Sequence, residues 1–301
     1  MAVPSDVLGA GLAVGGALTI ATMGLLVRIG TEDGRASDAL LVVLGTNLVV
    51  LLPLTLVWNY PSYGITPLAV LMFALAGITA TLLGRSLFFA SVEKIGASRS
   101  DAIKASQPLH AAAIAIVILG ESLTFQHLLG ILFIVVGVAV ISLDLKSDGS
   151  GSLETRELLM SLLFPLGAAF FYGLEPTVAK IGFNEGTPLL VGLSIKLVVA
   201  TSGFVAYLYW RGILPGRNDF TRSNLRWYIA AGLANTTFLG FYYGALELSP
   251  VNIVIPLTQT SPLFVVVISY VALPRLERIT GWIVGGTLCV VTGAVIVVTN
   301  V

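Results

Sequence analysis

The sequence predicts an all-α integral membrane protein with ten transmembrane helices arranged as two inverted five-helix repeats. Three observations predict it. Of 301 residues, 56% are apolar and only 11% are Asp, Glu, Lys or Arg, and the mean hydropathy is +0.95, well outside the range of a soluble domain. The apolar residues fall into ten blocks of the length a bilayer requires. A polar-proline stretch, Lys104-Ala-Ser-Gln-Pro-Leu-His110, recurs as Thr258-Gln-Thr-Ser-Pro-Leu-Phe264.

A helix crossing a hydrocarbon core of about 30 Å needs about 20 residues. The blocks run over 7–30, 38–59, 67–92, 100–119, 124–143, 158–181, 188–210, 225–246, 251–273 and 279–300. They lack the polar/apolar alternation of barrel strands. The first block follows Met-Ala-Val-Pro-Ser-Asp, has no basic residue ahead of it and exceeds a signal-peptide core, so it reads as a membrane helix rather than a cleaved leader. After the fifth block, Asp144 to Glu157 has linker composition. It divides the chain into a first repeat, 1–143, a polar linker, 144–157, and a second repeat, 158–301.

The halves repeat in order. Phe88-Phe89-Ala90-Ser91-Val92-Glu93 leads through Gln107-Pro108 to Gly120-Glu121, Gly130 and Gly137. Tyr242-Tyr243-Gly244-Ala245-Leu246-Glu247 leads through Ser261-Pro262 to Glu277, Gly286 and Gly293. Arg28-Ile29-Gly30 matches Lys180-Ile181-Gly182, and Asn47-Leu48-Val49-Val50 matches Lys196-Leu197-Val198-Val199. With five helices per repeat, the second must enter the membrane from the opposite side, the inverted plan of many secondary transporters.

An aromatic-small run, then Ser-Gln-Pro or Thr-Ser-Pro, then Leu119-Gly120-Glu121-Ser122 and spaced glycines, resembles the EamA-like branch of the drug/metabolite transporter (DMT) superfamily. The resemblance covers both halves. It implies ten helices around a central cavity, and export or exchange of small metabolites, often amino acids. Pro274-Arg275-Leu276-Glu277 departs from the Leu-Gly-Glu form. The resemblance implies both termini inside. Basic residues count the other way: Arg28, Arg35, Lys94, Arg99, Lys146, Arg156, Arg211, Arg217, Arg222, Arg226, Arg275 and Arg278 gather on one face and Lys180 alone on the other, which places the termini outside.

Ionisable residues at membrane depth are functional candidates. Glu175 and Lys196 both lie roughly 10 Å below one surface at 1.5 Å rise per residue. They form either a structural ion pair or a site that binds substrate or titrates with protons as coupling ion, and Pro176 frees a carbonyl beside them. Toward the other surface, Arg85, Lys104 and Asp101 share a depth. Lys104 and Gln107 on one helical face can hold a carboxylate, while Lys104 can instead snorkel or pair with Asp101. His110 is either a hydrogen-bonded interior histidine or a proton carrier. Gln107 and Gln259, beside the prolines, can satisfy released carbonyls or bind substrate. Tyr243 is one of the aromatics, with Phe170, Phe171, Tyr172, Phe241 and Tyr242, that wall the cavity or pack helices. Lys104, His110, Arg85 and Lys196 correspond to Thr258, Phe264, Leu239 and Asn47 in the other repeat, so the scaffold is repeated and the charges are not.

Trp58, Tyr60, Trp210 and Trp227 fit an interfacial belt. Gly11/Gly15, Gly240/Gly244 and Gly281/Gly285 have the spacing that permits close helix approach, and leave a homodimer open. Balanced charge, 16 basic and 16 acidic residues, gives no reason to expect nucleic acid. No zinc-protease, nucleophile-elbow or phosphate-loop signature is present, and Cys289 stands alone. The sequence therefore predicts no enzyme, metal or cofactor. It predicts a secondary, alternating-access transporter of the cell membrane for a small polar metabolite; the alternative is a non-transporting sensor or assembly subunit on the same scaffold. The expected lining comes from the third, fourth, eighth and ninth helices, with the first, second, sixth and seventh as moving walls.

Overall fold

The computed structural model describes residues 5–31, 35–95, 103–104, 106–144, 155–216, 220–272 and 281–298. All regular structure among them is helical, in ten spans. These are α1 (Ser5–Gly30), α2 (Ala36–Trp58), α3a (Pro67–Ala76) running through a π segment (Gly77–Gly84) into α3b (Arg85–Ile95), α4 (Gln107–Leu119), α5 (Phe125–Asp144), α6 (Thr155–Asn184), α7 (Leu189–Trp210), α8 (Arg222–Leu248), α9a (Val251–Thr258) with α9b (Ser261–Ala272), and α10 (Gly281–Val298). Helices suit these sequences because a bilayer offers backbone groups no water, and a helix satisfies them within itself. Four of the spans, Asp6–Gly30, Ser37–Trp58, Pro67–Phe88 and Leu189–Trp210, meet by themselves the length and hydropathy of a membrane crossing. Most of the linker, Asp101 and Pro274 to Glu277 lie outside the described residues.

Three expectations change. The fourth span is not continuous from 100: Ser106 forms a turn ahead of α4. The ninth breaks at Gln259-Thr260, and the third widens into the π segment. The two breaks have one cause. Proline lacks an N–H and its ring excludes the carbonyl four residues back, so Pro108 and Pro262 each disturb the preceding turn. There Ser106 N–H bonds the Ile103 carbonyl at 3.0 Å and Thr260 N–H the Leu257 carbonyl at 3.1 Å. The Ser106 and Thr260 hydroxyls donate to those same carbonyls, each at 2.7 Å.

Packing divides the spans into two groups with a matched pattern. Spans α3 and α4 pack on α6, and α7 packs on α3; α8 and α9 pack on α1, and α2 on α8, in the corresponding way. Exchanging the two halves of the chain converts one group into the other: the α1–α8 contact, among the most extensive, becomes α6–α3. The α5–α10 pair maps onto itself and meets the rest of the bundle at α4 and α9a. Its closeness comes from glycines seven apart on each helix. A Cβ on Gly137 would stand 2.6 Å from the Gly286 carbonyl, and one on Gly293 2.6 Å from the Gly130 carbonyl. By contrast Gly11, Gly240, Gly281 and Gly285 face open space. The four-residue spacing therefore does not mark the close contacts, because a glycine matters only where another backbone comes opposite it.

Outward faces are apolar, with Val57 and Val117 among the most exposed side chains. Trp58 and Trp210, both 80% exposed, cap the ends of α2 and α7, as membrane-interface anchors do.

A charged central cavity as the candidate functional site

Between the two groups of spans lies a cavity of about 510 Å³. Its α1 residues, Ile20, Met23 and Val27, come from the second half of that helix, and its α2 residues, Leu40 to Asn47, from the first half. The cavity therefore lies around mid-span: its lining from α1 to α4 is on the side where α1 finishes, and that from α6 to α9, such as Glu175, Lys196, Tyr242 and Thr258, is in the halves nearer the other end. All eight spans from α1 to α4 and α6 to α9 contribute to it, not the third, fourth, eighth and ninth alone. This follows from the packing: each group presents all four of its spans to the gap.

The lining is symmetric in position and asymmetric in chemistry. Arg85 and Leu239, Lys104 and Thr258, Lys196 and Asn47, and Glu175 and Met23 occupy matching places in the two repeats, and all eight line the cavity. So do Phe88 and Tyr242, and Gln107 and Ser261.

Glu175 and Lys196 do meet, with Lys196 Nζ 2.7 Å from Glu175 Oε1. They are 4% and 7% exposed, so neither charge is solvated by bulk water. Further donors compensate. Tyr243 donates its hydroxyl to the same Oε1, and Tyr242 donates to Oε2 at 2.9 Å. Lys196 Nζ also stands 4.7 Å from the centre of the Tyr243 ring, a favourable place for a desolvated ammonium. Close approach of α3 to α7 at this level depends on Gly77, whose added Cβ would be 2.7 Å from the Lys196 carbonyl.

Pro176 explains the glutamines. Lacking an N–H, it leaves the carbonyl four residues back, on Tyr172, without its helical donor. Gln107 Nε2 donates to that carbonyl at 3.3 Å, and Gln259 Nε2 donates to Gln107 Oε1 at 3.1 Å. The two amides thus join α9, α4 and α6 across the cavity. Gln107 serves a carbonyl released by a proline of another helix, not by its own neighbour.

Lys104 Nζ lies 4.6 Å from the Phe88 ring centre, and Arg85 opens α3b directly after the π segment. Two of the sequence-derived candidates lie off the lining. His110 Nδ1 is 3.1 Å from the Ser106 carbonyl, and its ring meets Phe170 edge-on at the α4–α6 contact. Tyr243 stands behind Glu175 as its donor. Of the other aromatics, Tyr172 and Tyr242 reach the lining.

Sequence reasoning restricted to charges passed over Asn235 and undervalued Asn47. Asn47 is fully buried and accepts from the Thr236 hydroxyl at 2.9 Å, while its Nδ2 has no partner among the described residues. A polar amide in mid-block was the available signal. Glu121, noticed only as part of a motif, lies at the other end of the bundle. There it accepts from the Val251 and Asn252 N–H groups at 2.8 and 3.1 Å, capping α9a with a carboxylate at the positive end of the helix. Gly120 makes this reach possible, ending α4 at φ +68°, a conformation glycine adopts without strain.

Helices around a central polar cavity, in two halves related by exchange, define a multi-pass membrane protein of transporter architecture. The EamA-like transporter family matches residues 7–143 and again 159–299. The chain belongs to that family, a branch of the drug/metabolite transporters, which places it in a lipid bilayer with a small molecule as substrate. A solved structure described only as a crystal structure of a protein has the same fold, with a TM-score of 0.79 at 15% identity over 97% of this chain and 99% of that one. No curated protein sequence matches significantly.

Proposed function

We propose that the protein is a secondary, alternating-access carrier that exports or exchanges a small polar metabolite, such as an amino acid, across the cell membrane. The observation that carries this reading is the cavity itself, placed between two exchangeable groups of helices, charged on its wall, and tied off by hydrogen bonds at the end of the bundle opposite to where α1 finishes. At that end Glu121 holds α9a, Lys180 donates to the Ser249 carbonyl, and the Asn252 amide donates to the Ser122 carbonyl at 2.7 Å. A carrier accessible from one side at a time needs such an arrangement. Arg85, Lys104, Gln107, Glu175, Lys196 and Gln259 are the proposed contacts for substrate, with Glu175 as the group that couples transport to protons. His110 and Tyr243 act behind the lining. A homodimer would join apolar outer faces and leave the cavity within each chain.

Reconstitution tests the reading. Proteoliposomes preloaded with unlabelled metabolite should accumulate the labelled compound by counterflow, and Glu175→Gln or Gln107→Ala should lower the rate. Wild-type rates in both variants would remove these residues from the site. Binding without counterflow would turn the assignment to a sensor.

A further inference from the structure

Among the described lining residues, the four charged side chains stand on one wall. Arg85, Lys104, Glu175 and Lys196 belong to spans three, four, six and seven, of which three and four pack on six, and seven on three, while the facing wall from α1, α2, α8 and α9 presents no charged side chain among its described lining residues. Glu175 and Lys196 cancel, and the two tyrosine hydroxyls complete the coordination of that carboxylate. What remains in the described lining is the Arg85 guanidinium, with Lys104 beside it. No hydrogen bond or ion pair engages the Arg85 guanidinium among the described residues. Phe88, on which Lys104 rests, lies three residues on from Arg85, hence on the same face of the helix. Both cations therefore occupy one corner.

Neither is required by the scaffold. The matching positions on the opposite wall hold Leu239 and Thr258, which line the same cavity. Arg85 also follows directly on the π segment, a widening of the helix that is frequent at functional sites. A guanidinium in a cavity of low dielectric favours an anion, and its planar fork fits a carboxylate or a phosphate through two parallel hydrogen bonds. We infer that Arg85, supported by Lys104, forms an anion subsite and that the transported substrate is a small organic anion. Its carboxylate or phosphate sits on Arg85, and the remainder of the molecule lies against the neutral wall. This rests on the carrier reading above and adds the charge of the substrate to it.

The test is a counterflow panel in vesicles of phosphatidylcholine alone, so that no anionic headgroup competes. The probes are 2-oxoglutarate and glutamate as carboxylates, phosphoenolpyruvate as a phosphate, glutamine as a neutral zwitterion and lysine as a cation, with thermal shifts measured on the same compounds. Counterflow with an anion is expected. Arg85→Gln and Arg85→Leu should then raise its KM about tenfold or more with a smaller change in kcat, as loss of ground-state binding does. Counterflow confined to glutamine or lysine would overturn the anion subsite and leave the carrier standing. A thermal shift with anions but no counterflow would support the subsite and overturn the carrier; no response to any probe would overturn both. If the Arg85 variants fail to fold, the wild-type panel still decides the substrate class and Lys104→Gln the subsite. Folded Arg85 variants with wild-type KM would overturn the assignment of Arg85.

Discussion

A carboxylate in the middle of a membrane is stable only as well as it is paired, and Glu175 has three donors on two oxygens. Removing Lys196 leaves the charge buried without its counterion. Lys196→Met should therefore destabilise the protein by on the order of 3 kcal/mol, whereas the double change Glu175→Gln with Lys196→Met should recover most of the loss. Thermal unfolding in detergent compares the two, and a double variant no more stable than the single one would show that the pair is not the unit. Tyr242→Phe removes one donor and should cost about 1–2 kcal/mol. The ion pair was legible in the sequence because depth in a helix can be counted from its ends. The tyrosines were legible as bulk but not as donors. Neighbouring residues on a helix point about 100° apart, and nothing in the sequence says that one carboxylate accepts from both by using a different oxygen for each. His110 misleads for the converse reason: its polarity is met by the Ser106 carbonyl of its own chain segment, so a polar side chain in an apolar block need not face the cavity.

Helices here are shaped where their hydrogen-bond ladders are interrupted. Prolines 108 and 262 break matching spans at matching places, and the interruption was visible in the sequence as a repeated Ser/Thr-x-Pro run. The π segment was not, since hydropathy records which residues are apolar and not the phase of the backbone bonds. Helix contact is governed by a different local rule. A Cβ on Gly137 would strike the Gly286 backbone and one on Gly281 would meet nothing within 4 Å among the described residues, although both belong to glycine-spaced patterns. Gly137→Ala should thus force α5 from α10 and cost about 1–3 kcal/mol, and Gly281→Ala should leave stability unchanged or slightly raised. Melting temperatures of the two variants check the pair. Equal shifts would mean that α5 and α10 can part without loss, and that their glycines are not what holds them.

Across the whole molecule, the repeats build two similar walls and give them different chemistry, and among the described residues they tie together the end where α4 finishes and α9a begins. The closing contacts cross between repeats: Glu121 follows α4 in the first, while Val251 and Asn252 open α9a in the second. Lys180 of α6 joins them, 4.0 Å from Glu121 and bonded to the Ser249 carbonyl. For the cavity to face this end, α9a must leave Glu121. A carboxylate accepting two backbone N–H groups is the strongest single tie described there, and losing it should shift the balance between the two states by about 2 kcal/mol, or about thirtyfold in population. Val251 has no exposure in the closed end and can report the change. With Cys289 replaced by alanine and cysteine placed at position 251, Glu121→Ala should speed maleimide labelling in detergent by about tenfold or more. Glu121→Gln, which keeps one acceptor oxygen but loses the charge, should fall between. Labelling that is equally slow in all three proteins would mean that the closed end is held by apolar packing of α1 and α8 around α9a, and that Glu121 caps the helix without governing which way the cavity faces.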